Sequence, residues 1–204
     1  YEAVATELRG VFDFESFETV PEPGLQIDGV ILGPGLSIGE RFEGQIAERW
    51  FDDWPQERAR PLTLDSLTIL PGAPGQNHAV AYHAGFGSNA LFPIGPEGFD
   101  RIEGRGEGVT SVRYLRPQSA VGFRVHADYT DPLGVRPAAG LLQIHFYDPE
   151  ARLIETIAVD LRDGVIALAY RSLSDPIGAI QIEHFDPGGI ALDDILFALE
   201  DLTG

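Results

Sequence analysis

Two-residue alternation of apolar and polar positions dominates the second half of the chain. In Val121–Tyr129, Val121, Phe123, Val125, Ala127 and Tyr129 fall on one face, with Arg124, His126 and Asp128 on the other. That is the period of a half-buried strand. Leu142, Ile144 and Phe146 oppose Gln143, His145 and Tyr147 in the same way, and Asp148-Pro149 marks a turn before a hairpin partner at Leu153–Leu161. Ile177–Phe185 and Ile190–Leu199 follow as strands, divided by the turn signal Asp186-Pro-Gly-Gly189. Upstream the candidate strands are shorter: Val11–Phe17, Gly29–Leu32, Thr63–Leu70, His78–Tyr82 and Val109–Leu115. Ser37–Trp50 breaks the pattern, because Ile38, Phe42 and Ile46 stand at i, i+4 and i+8, which predicts a helix or helical turn. Pro71–Arg105, rich in Gly and Pro, reads as a long irregular excursion.

Short strands at regular spacing, with no alternation of strand and helix, predict an all-β fold built as a two-sheet antiparallel β-sandwich. No repeat and no linker composition divides the chain. The expectation is a single domain over residues 11–204 behind an N-terminal extension, residues 1–10. That extension is partly apolar; it frays in a monomer or pairs with the sheet edge of a neighbouring copy.

Composition acts by exclusion. The 204 residues include 32 acidic and 14 basic side chains, for a net charge of −18, and every basic residue is an arginine. Such a surface repels nucleic acid and anionic membranes. No apolar run reaches bilayer length, so no membrane insertion is expected. The absence of cysteine rules out disulfides, thiolate metal sites and cysteine nucleophiles. An acidic chain without lysine or thiol predicts an exported bacterial protein, and Tyr1 in first place fits either a processed chain that has lost a signal peptide or a trimmed one.

Two stretches carry a family resemblance. Val11-Phe-Asp-Phe-Glu-Ser-Phe17 and Gly188-Gly-Ile-Ala-Leu-Asp-Asp-Ile-Leu-Phe197 resemble the first and last strands of secreted bacterial jelly-roll domains, among them carbohydrate-binding modules of galactose-binding-like fold. Gly39–Gln45, Pro61–Leu64 and Gly72–Asn77 are similar to segments of exported bacterial proteins of the PEP-CTERM-associated type. The resemblance implies a jelly roll, a secreted, extracellular or cell-surface location, and a structural calcium ion where the terminal strands meet. The residues offer that ion Asp13 and Glu15 at one end and Asp193 and Asp194 at the other, four carboxylates whose mutual repulsion a hard cation relieves. Solvated carboxylates on strand edges are the plainer account.

Glu48–Pro55 holds both tryptophans, Trp50 and Trp54, flanking Asp52 and Asp53. Indoles stack on pyranose C–H groups while carboxylates accept hydroxyl protons; the alternative is that Trp50 plugs one end of the sandwich and Trp54 packs under a loop. Arg124, His126, Gln143, His145 and Tyr147 would make a second polar face for a glycan, if their strands are neighbours. No serine stands in a nucleophile elbow, Gly85-Phe-Gly-Ser-Asn89 included. The expected function is therefore non-catalytic recognition of an extracellular polysaccharide. The alternative is a structural subunit of a fibre, sheath or surface layer, made of identical subunits joined through the N-terminal segment and calcium.

Overall fold

A computed structural model describes residues 1–51, 55–127 and 140–198. A short helix, α1 (Glu2–Leu8), leads into β1 (Arg9–Phe12), β2 (Leu25–Ile27), β3 (Ile31–Leu32), β4 (Leu36–Gly39) and β5 (Arg41–Phe42). A hairpin of β6 (Ile46–Phe51) and β7 (Pro55–Arg60) follows, then β8 (Ile69–Leu70), β9 (His78–His83) and β10 (Ser88–Pro93). After a 3-10 turn at Ile102–Gly104 come β11 (Thr110–Gln118), β12 (Ala120–His126), β13 (Leu141–Tyr147) and β14 (Leu153–Asp160). The chain closes with β15 (Val165–Arg171), β16 (Ile177–His184) and β17 (Ala191–Ala198).

The fold is a mostly-β antiparallel sandwich. One sheet runs β15-β12-β17-β10-β9-β2, with β1 also paired to β17; the other runs β14-β13-β16-β11-β4-β3. Alternation explains the core between them. Val121, Phe123 and Val125 of β12 meet Leu142, Ile144 and Phe146 of β13, together with Ile180 and Ile182 of β16 and Leu192 and Ile195 of β17. Each large apolar side chain buried there contributes about 1.5–3 kcal/mol. Two small sheets, β5–β8 and β6–β7, lie over the outer face of the six-stranded sheet. Phe42 packs edge-on against Tyr147 beneath them, with ring centroids 5.5 Å apart.

Several expectations are corrected. Ser37–Trp50 is not helical. Ile38 is fully buried in the main core, Phe42 is buried in the second cluster under Tyr147, and Ile46 is 70% exposed. The three therefore serve different surfaces, and Gly44, at φ 86°, turns the chain between β5 and β6. Within the Pro71–Arg105 excursion the expected strand at His78–Tyr82 is β9, and it forms a hairpin with β10, which was not expected, pairing His83 with Ser88 and His78 with Pro93. Both faces of that hairpin are covered, so its sequence lacks alternation.

Residues 1–10 form α1 and the start of β1. Leu8 packs with Ala120 and Leu196, and Arg9–Phe12 pair antiparallel with Ala198–Ile195 of the same chain. The segment is ordered against its own sheet.

Candidate functional site

The outer face of the seven-stranded sheet carries a cluster created by a break in strand register. Gly122 of β12 faces Leu196 of β17, but Arg124 faces Asp193, so β17 holds one extra residue across this span. Such a bulge re-aims side chains. Asp194 within it has φ 49°, a left-handed conformation that aspartate tolerates better than most residues. Consecutive residues of a regular strand point to opposite faces, yet here both carboxylates reach the same guanidinium. Arg124 Nη2 donates to Asp193 Oδ2 at 3.1 Å and lies 2.6 Å from Asp194 Oδ2.

Each carboxylate has its own setting. Asp193 is fully buried; its Oδ2 also accepts from the Ser88 hydroxyl at 2.7 Å, and its Oδ1 accepts the Asp194 amide at 2.7 Å. Burial pushes its carboxyl up to about 6, with Ser88 pulling the other way. An acid with every oxygen occupied is structural and not poised to exchange protons with a substrate. Asp194 is also raised, first by burial and then by the nearby charges of Asp13 and Glu15, while Arg124 opposes the shift. The Tyr1 hydroxyl donates to the Asp194 carbonyl at 3.2 Å, and burial together with that carboxylate holds the phenol up at about 12.

An aromatic wall stands beside this ion pair. His83 and His126 have ring centroids 4.5 Å apart, and the Arg124 guanidinium carbon lies 5.3 Å from the Phe86 ring. Phe86 sits on the β9–β10 turn, where only glycine fits at position 85: a Cβ there would meet the His126 ring at 2.6 Å. The Gly85 amide donates to His83 Nδ1 at 2.9 Å, which puts the proton of the neutral ring on Nε2. Burial, then His126, lowers His83 to about 4, so its ring is uncharged at neutral pH. The groups open to an approaching molecule are the Arg124 and Asp194 side chains, 28% and 25% exposed, with Phe86 at their edge.

Sequence and structure agree on part of this site. Arg124 and His126 share the face expected of them. The first and last strands do lie side by side, which brings Asp13 and Glu15 near Asp194. Each of those four carboxylates already has a partner within the chain. Among the described residues no group of three or more histidine and carboxylate side chains could hold a metal ion. Arg124 occupies Asp193 and Asp194, Glu15 accepts the Asn89 amide at 2.6 Å, and Asp13 accepts the Glu15 amide at 3.2 Å.

The expected continuation of the polar face onto the next strand also fails, because β12 and β13 belong to different sheets. Gln143, His145 and Tyr147 lie on the opposite side of the molecule, and His145 and Tyr147 are buried under the small sheets. There His145 stands 3.4 Å from Glu183 and hydrogen-bonds Thr156 at 2.8 Å. Trp50 does not plug the sandwich. It is 45% exposed on the β6–β7 hairpin, with the Arg58 guanidinium 4.2 Å from its ring and 4.5 Å from Phe185. Asp52, Asp53 and Trp54 lie outside the described residues. Tyr1, His83, Phe86 and Ser88 escaped the sequence reading. The signal for two of them, Phe86 and Ser88, was the glycine-bearing turn Gly85–Asn89, which only topology places beside Arg124.

No family model matches this sequence, and no curated protein matches it. Among solved structures, a mutant family 29 carbohydrate-binding module complexed with cellulohexaose is similar at 13% identity and a TM-score of 0.37, over 81% of this chain and 92% of that one. Another mutant of such a module, complexed with mannohexaose, has 15% identity and a TM-score of 0.37, over 59% and 74%. The enzymatically active domain of bacteriophage CBA120 tailspike protein 4 has 13% identity and a TM-score of 0.36, over 60% and 18%. At these TM-scores the likenesses assign no function.

Proposed function

We propose that this chain is an exported, non-catalytic module that binds a neutral glycan on the Arg124–Asp194 face of its seven-stranded sheet. One observation carries the reading: a bulge turns two consecutive aspartates onto a single guanidinium beside the Phe86 ring. Adjacent fixed donors and acceptors suit the vicinal hydroxyls of a sugar, which accept from Arg124 and donate to Asp194. The Phe86 edge covers apolar C–H groups. The ion pair also pre-orients both partners, so little side-chain entropy is lost on binding. A net charge of −18 favours neutral over acidic polysaccharide.

Affinity electrophoresis through neutral polysaccharides, with a glycan array to choose them, tests the proposal. Arg124→Ala and the gentler Asp194→Asn are expected to weaken binding by about tenfold or more, as for loss of a hydrogen bond to a charged group. Wild-type affinity in both variants, with folding verified by circular dichroism, overturns it. Loss of binding in Trp50→Ala alone moves the site to the hairpin and equally overturns the assignment to Arg124.

A further inference from the structure

On the opposite side of the sandwich, β11 parts from β16. Arg113 pairs with Ala179 and Gln118 with Ile177, so four residues on β11 span what one residue, Gly178, spans on β16. A cleft of about 350 Å³ opens there, between the 65–68 loop, the end of β11 and the turn after β13. Its volume lies within the roughly 300–1,000 Å³ typical of small-molecule sites. Bulged strands are over-represented next to such sites.

The walls are fixed by the chain itself. Asp148 Oδ1 accepts the amides of Glu150 and Arg152 at 2.9 Å each, and its Oδ2 takes Arg152 Nε at 2.6 Å. This holds Ala151, which lines the cleft and is 2% exposed, at φ 65°. A non-glycine residue in that conformation marks backbone held by its surroundings. On the other wall the Ser66 and Thr68 hydroxyls meet at 2.8 Å. Between the walls stands Arg113, exposed and with no carboxylate or carbonyl engaging it among the described residues. Most other described arginines of this acidic chain are held by an anion, a carbonyl or an aromatic ring.

We infer that this cleft is a second binding site, for one or two units of a neutral sugar. The charges lining it select that class. Arg113 shares the lining with Asp65 and Glu150, so an anion meets two carboxylates and a cation meets the guanidinium. Neutral hydroxyl groups satisfy all three, since each can both donate and accept. Ser66 and Thr68 add two more such partners, and Leu115, 61% exposed, supplies an apolar patch for ring C–H groups. The ligand class rests on the glycan-binding reading, but the position does not, because this cleft and Arg124 lie on opposite outer faces.

Backbone amide NMR of the full chain, titrated with mannobiose and cellobiose at millimolar concentration, tests the inference. Sodium acetate and ethanolamine serve as charged controls. A neutral disaccharide is expected to shift amides within 65–68, 113–117 and 150–152. Arg113→Ala is expected to weaken those shifts about tenfold, and Arg124→Ala to leave them unchanged. Shifts confined to the Arg124 face overturn the second site while leaving the first intact. Shifts in the cleft alone uphold it and remove the first. Shifts in the cleft with a charged control but no sugar, unaltered shifts in Arg113→Ala, or no shift with any probe each overturn it.

Discussion

Glu57 is an acid held where an acid should not ionise. It sits on β7, is 4% exposed, and accepts the Val109 amide at 3.3 Å. Burial, reinforced by Glu40, pushes its carboxyl from 4.5 up to about 8. The folded state therefore keeps a proton that the unfolded chain has already released, and stability falls as pH rises from about 4.5 to about 8. The buried histidines run the other way but finish earlier. His78, His83 and His184 are lowered from 6.5 to about 3, 4 and 4, so their contribution grows between those values and 6.5 and is constant above. Between pH 6.5 and 8 the carboxyls dominate, and the melting temperature is expected to decline. Glu57→Gln should reduce that slope without abolishing it, because burial also raises Glu107 strongly. Thermal melts at closely spaced pH values decide the matter; identical slopes in both proteins refute this role for Glu57.

Among the elements, the β6–β7 hairpin is tied to β16 by polar contacts. Glu183 of β16 is fully buried beneath it and accepts the Ala59 amide at 2.9 Å and Arg60 Nη1 at 2.6 Å. Burial would raise its carboxyl, yet His145, Arg60 and the Ala59 amide together leave it below the ordinary value. Gln45 and Gln181 exchange side-chain hydrogen bonds at 3.1 and 2.8 Å, and Gln181 also donates to Ser111 at 2.8 Å. Removing Glu183 strands Arg60 and an amide, so Glu183→Ala is expected to cost about 3–5 kcal/mol, the range for breaking a buried pair. Hydrogen exchange should rise in Ile46–Phe51 and Ala59–Arg60 before it rises in β12 or β17. Uniform loss of protection across both sheets would show that the hairpin does not open separately.

The same hairpin shows where the sequence was legible. From β11 onward one face of most strands meets the main core; alternation located β12 and β13, and turn signals located β14, β16 and β17, to within a few residues. The first half builds strands of two to six residues whose faces meet different clusters. Ile38, Phe42 and Ile46 then mimic a helical stripe. The candidate site was half legible for the same reason: alternation exposed Arg124 and His126, but a bulge that unites two aspartates leaves no periodic trace.

At the scale of the molecule, a chain at −18 gathers carboxylates where its first and last strands meet, and Arg124 supplies the local positive charge. Chelation is thus expected to leave the melting temperature unchanged, whereas Arg124→Ala lowers it by leaving Asp193 buried without its partner. A drop on adding EDTA, reversed by calcium, would return a metal ion to this end of the fold.

The pairing of β1 with β17 has a mechanical consequence. Arg9 lies opposite Ala198 and Phe12 opposite Ile195, so the two flanks of the fold leave from the same end of an antiparallel pair. Tension between them, after peeling α1 from Ala120 and Leu196, loads the β1–β17 hydrogen bonds one rung at a time instead of in shear. Pulled by its two ends, the fold yields first along this seam. Phe12 and Phe14 come out of the core while the opposite edge, β12 against β15, is still closed.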